Sequence, residues 1–110
     1  WAAFHEDERI RCALAKSSQT DIYVLEELKK DKSASVRYYV TKNDKVHIEI
    51  LDYLANDTNK EVRLAVANNH RTGVNGLKKL VQDEDEDIRL CAAKSLVKAI
   101  EYERWFREQF

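Results

Sequence analysis

The dipeptide Ile10-Arg11 returns as Val36-Arg37, Val62-Arg63 and Ile88-Arg89, each 26 residues after the one before. Self-similarity at a fixed period of this size marks a repeat array. Each unit is then one supersecondary element that buries its apolar face only against its neighbours. Other columns keep the same register. Leu14, Val40, Val66 and Ala92 are apolar in step; Ala15, Thr41, Ala67 and Ala93 are small in step; Leu25, Leu51 and Leu77 agree, as do Leu28, Leu54, Leu80 and Phe106. Asp31, Asp57 and Asp83 each stand six residues before a column arginine, and Ser17, Asn43, Asn69 and Ser95 each stand six after one. In the fourth unit Glu103 interrupts the Leu25 column.

Within the third unit, Val62, Ala65, Val66 and Asn69 follow the i, i+3, i+4, i+7 spacing of one helix face, and Val74, Leu77 and Val81 follow i, i+3, i+7 in a second helix. The fold expected is therefore all-α, a right-handed α-solenoid of about four two-helix repeats in a single domain over 1–110, with units at about 5–30, 31–56, 57–82 and 83–110. Helices are expected at about 8–18, 21–30, 34–43, 46–56, 60–69 and 73–82, with a last one from about 86. Thr58 with Glu61, and Asp83 with Glu86, fit an N-cap with an acid three residues on. Thr20 and Thr72 are in register as N-caps of second helices. From Ser95 to Phe106 there is no breaker where the third unit has the corner Asn68-Asn69-His70-Arg71, so the last unit should fuse into one long capping helix. Trp1 and Phe4 are expected to cover the first unit.

The 110 residues are 44% hydrophobic and 35% charged with a formal net charge of −1, which suits one water-exposed domain with a buried core. No apolar run approaches a membrane span, and the start lacks the pattern of a signal peptide. A cytoplasmic location follows as the expectation. The sequence contains no methionine, which points to a fragment of a longer chain. Cys12 and Cys91 fall in the first and fourth units; helices stacked about 8–10 Å apart would set them on the order of 30 Å from each other. That is beyond disulfide reach, so two free thiols packed as small apolar residues are expected.

The motif Asp57, Val62-Arg63, Val66-Ala67, Asn69, Thr72, Leu77 and Leu80, repeated across nearly the whole chain, resembles the leucine-rich variant repeat, a short relative of HEAT-like helical repeats. That family carries prolines near the start of each unit and of its second helix. This chain has none, and Asp21, His47 and Gly73 hold the second-helix positions. The departure implies a fuller second α-helix in place of a short 3₁₀ turn, and HEAT-like repeat is the broader label. Relatives with an iron-sulfur cluster carry a separate cysteine cluster, which two dispersed cysteines do not reproduce.

The polar columns divide into three groups. Arg11, Arg37, Arg63 and Arg89 with Asp31, Asp57 and Asp83 read as a structural ladder, because an arginine fork at a packing face is normally paired. Lys16, Lys42, Lys45, Arg71, Lys94 and Lys98 collect at the exit end of the first helices as a basic edge, opposite an acidic entry edge. Both signs complement the helix macrodipole, and the basic ridge is also a candidate contact for an acidic segment or a phosphate backbone. On the outward face of the second helices, Tyr23, His47, Tyr53 and Lys79, joined by Trp105, are candidate partner-binding residues, since aromatic and positive side chains are enriched at hot spots.

Catalytic chemistry finds little to stand on. The two glycines, Gly73 and Gly76, form no phosphate loop, and His5, His47 and His70 fall in three different repeat slots. The Asp83 to Asp87 run lacks the turn glycine of a calcium loop. No catalytic residue, metal or cofactor is expected. The expected function is a non-enzymatic scaffold whose extended groove binds a protein or peptide. Two alternatives are nucleic-acid binding along the basic edge, as in HEAT-like DNA-repair proteins, and a structural or regulatory segment of a larger protein.

Overall fold

In the computed structural model, residues 2–110 are described, and seven α-helices with no strand follow a 3₁₀ turn at Ala2–Phe4. The helices are α1 (Glu8–Lys16), α2 (Ile22–Leu28), α3 (Ala34–Lys42), α4 (Ile48–Leu54), α5 (Lys60–Asn68), α6 (Val74–Leu80) and α7 (Glu86–Gln109). Trp1, expected to cover the first unit, lies outside the described residues; Phe4 is largely exposed. Among the described residues, no helix is long and apolar enough to cross a membrane.

Side chains at the helix starts set the boundaries. Asp7, Asn59 and Asp85 accept from the N–H groups of Arg9, Val62 and Ile88 and so cap α1, α5 and α7. The cap expected at Asp83 moves to Asp85 because the Asp83 carboxylate is engaged by Arg63, and the cap expected at Thr58 falls on Asn59. Thr20 and Thr72 do not cap either: Asp21 and Gly73 hold those positions, and the threonine hydroxyls donate instead to the carbonyls of Leu14 (2.6 Å) and Val66 (2.7 Å) in the preceding helix. The helices stop slightly short of expectation. At Ser17, Asn43 and Asn69 the side-chain oxygen accepts the N–H two residues on, which draws the chain into an extended corner. After α2, α4 and α6, tighter i→i−3 bonds such as Asp31 N–H to Leu28 O close the last turn early.

The longer helices pack in series, α1 against α3, α3 against α5 and α5 against α7, while α2 meets α3, α4 meets α5 and α6 meets α7. Between them lies the core: Val36, Val40, Val62, Val66 and Ile88 from the longer helices and Leu25, Leu28, Ile50, Leu51, Leu54, Leu77 and Leu80 from the shorter ones, all essentially inaccessible. Each such side chain contributes about 1.5–3 kcal/mol by leaving water. The Cα envelope is a slab of 49 × 34 × 14 Å, as thin as two helical layers.

Helix α7 runs unbroken for 24 residues. Ser95 stands where Asn43 and Asn69 end their helices, but its hydroxyl donates to Ala67 O at 2.8 Å and accepts no N–H two residues on. Nothing therefore draws the chain out of the helix. As a result Phe106, which shares a column with the buried Leu28, Leu54 and Leu80, is half exposed: a continuous helix carries it past the end of the core.

Candidate binding groove

Two hydrogen-bonded ladders fix how one helix pair sits on the next. Arg11 Nε donates to Asp31 Oδ2 at 2.8 Å, Arg37 Nε to Asp57 Oδ2 at 2.7 Å and Arg63 Nε to Asp83 Oδ2 at 2.8 Å, each with a second bond from Nη2. The Nη1 groups of Arg37, Arg63 and Arg89 donate to the backbone carbonyls of Asp31, Asp57 and Asp83. Each aspartate thus takes a guanidinium on its carboxylate from the helix before and on its carbonyl from the helix after. Burial pushes the Asp83 carboxyl up, but the Arg63 fork and the Asp85 N–H outweigh it and hold it below the usual carboxylate range. The second ladder runs through the corners: Asn43 Nδ2 donates to Ala15 O and Ser17 O, both at 2.8 Å, and Asn69 Nδ2 donates to Thr41 O at 2.7 Å. With their forks already on carboxylates, Arg11, Arg37 and Arg63 are poor anion ligands.

The same corners project the groove. Asn43 Oδ1 accepts from Lys45 N–H and Asn69 Oδ1 from Arg71 N–H, which fixes the backbone of both basic residues at equivalent turns. Asp21 accepts from Tyr23 N–H at 2.8 Å and so sets the start of α2, while His47 occupies the N-cap position of α4. Between these points opens a groove of about 780 Å³ lined by Ile22, Tyr23, His47 and Ile48, by the basic Lys45 and Arg71, and by the acidic Asp21, Asp44 and Glu49. A Cβ at Gly73 would meet Ile48 Cδ1, the free end of a half-exposed side chain. Tyr23 is 76% exposed, and among the described residues neither Lys45 nor Arg71 has a carboxylate within ion-pair distance.

The remaining candidates are dispersed. Tyr53 lies at the other end of the shorter helices beside Lys29, Lys30 and Thr58, with Lys29 Nζ 4.6 Å from its ring centroid. Lys79 is exposed on α6, and Trp105 sits on the overhang of α7 next to Tyr102, ring centroids 6.0 Å apart. Tyr23 and His47 therefore share a site with Lys45 and Arg71, and Tyr53, Lys79 and Trp105 do not. Along the basic edge, Lys16 lies over the Tyr39 ring at 4.1 Å and Lys42 over the Tyr38 ring at 5.4 Å, so both are satisfied within the chain. Lys94 and Lys98 are exposed on α7. The tyrosine pair escaped sequence reasoning, although its adjacency to the lysine column was visible there. So did Ile48, 44% exposed, whose periodicity with Leu51 and Leu54 reads as core.

Reactive groups are scarce. Cys12 and Cys91 are free; burial and then Glu8 push the Cys12 thiol up, away from the reactive thiolate, and the Cys91 thiol donates to Asn68 Oδ1. Asp7 is pulled down to about 2 by Arg9, first by the side-chain bond and then by the N–H, and is a cap in an ion pair. Among the described residues, no three His, Cys, Asp or Glu side chains converge as a metal site would require. Compared with known proteins, the chain matches no family model, no curated protein and no solved structure.

Proposed function

We propose that this chain is a right-handed α-solenoid of about four repeats, of the leucine-rich variant or HEAT-like kind, and acts as a non-enzymatic scaffold in the cytoplasm. The groove between the starts of α2 and α4 takes an extended peptide carrying an acidic residue beside an aromatic or aliphatic one. The equivalent starts of α1, α3, α5 and α7 at Glu8, Ala34, Lys60 and Glu86 support the repeat reading, as do those of α2, α4 and α6 at Ile22, Ile48 and Val74.

One observation carries the binding reading. Two positive side chains without carboxylate partners, Lys45 and Arg71, line the same groove as the exposed Tyr23 and Ile48. An apolar anchor supplies affinity there, and the charges set orientation and on-rate. Asp21, Asp44 and Glu49 line the same groove and weigh against a run of phosphates there, whereas a single peptide carboxylate needs only Lys45 and Arg71. The test is a peptide-display selection on the intact domain. Enriched sequences should pair an acid with an aromatic or aliphatic residue, and a Lys45→Glu/Arg71→Glu variant should bind them at least about tenfold more weakly, each charge being worth roughly a kcal/mol or more. An unenriched pool, together with a DNA affinity that falls steeply with salt, would move the function to the basic edge.

A further inference from the structure

The two ends of the helix stack carry the two halves of one interface. At every internal junction the later helix inserts the residue preceding its ladder arginine, and Val36, Val62 and Ile88 are each 0% exposed there. The corresponding residue of α1, Ile10, is 40% exposed, and with Leu14 and Val24 it lines an open apolar groove of about 710 Å³. The earlier helix of each junction offers Cys12, Tyr38 and Leu64, all partly buried against the core, whereas the equivalent Leu90 of α7 is 56% exposed. Val97 continues that outward face of α7 and is 54% exposed. The polar groups follow the same rule. Ala15, Thr41 and Ala67 accept a side-chain bond from the next unit, and Ala93 stands in their column. Among the described residues, Arg89 donates only to backbone carbonyls, with no carboxylate on its fork.

We infer that the chain associates head to tail with a second copy of itself, the α7 face carrying Leu90 docking on the α1 face carrying Ile10. The inference rests on the stacked-repeat reading, and the internal junctions define what each face accepts. Ile10, Leu14 and Ser17 reproduce the two aliphatic positions and the donor that α7 itself uses at Ile88, Ala92 and Ser95. One component differs. The aspartate position of the first unit holds His5, whose Nδ1 accepts the Asp7 N–H as Asp31, Asp57 and Asp83 accept theirs. An imidazole there offers Arg89 no pair of carboxylate oxygens, so the contact forms without its ion pair and is weak. Because the two faces differ, the contact is heterologous and leaves an open end on every oligomer.

His5→Asp restores the missing carboxylate. Sedimentation velocity over a concentration series should show the native chain associating, with His5→Asp associating at about tenfold lower concentration, the effect of one charge-assisted pair. Ile10→Glu and Leu90→Glu should each be monomeric alone and, mixed, should form a dimer that grows no further, since one keeps its α7 face and the other its α1 face. Far-UV circular dichroism confirms that each variant is folded. A His5→Asp protein that stays monomeric, or a mixture that does not pair, overturns head-to-tail association. The stacked-repeat reading fails separately, if Arg63→Ala is no more destabilising than Arg89→Ala.

Discussion

Arg63 spans two helix pairs, its fork on Asp83 ahead and its Nη1 on Asp57 O behind, with side chains only 12% and 8% exposed for the ion pair. Removing it strands a nearly buried carboxylate, so Arg63→Ala should lower stability by about 2–3 kcal/mol in urea denaturation. Arg89 shares the column but faces no carboxylate and sits in an exposed position, so Arg89→Ala should cost under about 1 kcal/mol. Equal losses would mean that the column arginines act only within their own helix. The two columns were legible in the sequence because charge at a fixed period has few explanations. Which aspartate each arginine reaches was not legible, since the partner twenty residues ahead is brought near by stacking and not by helical spacing. Tyr53, half exposed with Lys29 across its ring, gives the opposite expectation: Tyr53→Ala should change stability by less than about 1 kcal/mol. Unfolding would show that this tyrosine belongs to the core.

Each helix pair is built from one long and one short helix whose lengths are set by what ends them. The Asn43 and Asn69 corners explain both the stop of α3 and α5 and the placement of Lys45 and Arg71, so one residue type links fold to groove. The all-helical character and the approximate helix starts were readable from the sequence. The caps at Asn59 and Asp85 were not, because Thr58 and Asp83 match the same local pattern, and for Asp83 only the ladder's demand on its carboxylate decides against it. Between α4 and α6 the close approach has a cost. Asp52 Oδ1 is buried without a hydrogen-bond partner among the described residues and would lie 2.8 Å from a Cβ at Gly76. An unsatisfied buried oxygen is unfavourable, so Asp52→Ala should be neutral or stabilising by up to about 1 kcal/mol. A loss of that size in thermal unfolding would reveal a bond to Asp52.

The molecule as a whole is a thin slab with a Cα radius of gyration of 14.8 Å, above the about 13 Å of a compact domain this long. Such a shape has a large surface for its core, and its stability leans on the polar ladders that tie neighbours together. That gives a pH dependence. Asp7, Asp83 and Asp85 are held below the unfolded aspartate value of about 3.9, so their contribution is complete above it and is lost as pH falls through the folded values, about 2 for Asp7. Thermal midpoints should fall as pH drops below about 4, and Arg63→Ala should flatten that fall by releasing Asp83. The groove itself was only partly foreseeable. Tyr23, His47, Lys45 and Arg71 were visible as types, yet their convergence depends on how three turns are stacked. The most direct test of the account is an amide NMR titration of the domain with its best display-selected peptide. Shifts confined to Tyr23, Lys45 through Glu49 and Arg71 are predicted; shifts centred on Lys94 and Lys98, with the groove unmoved, would contradict it.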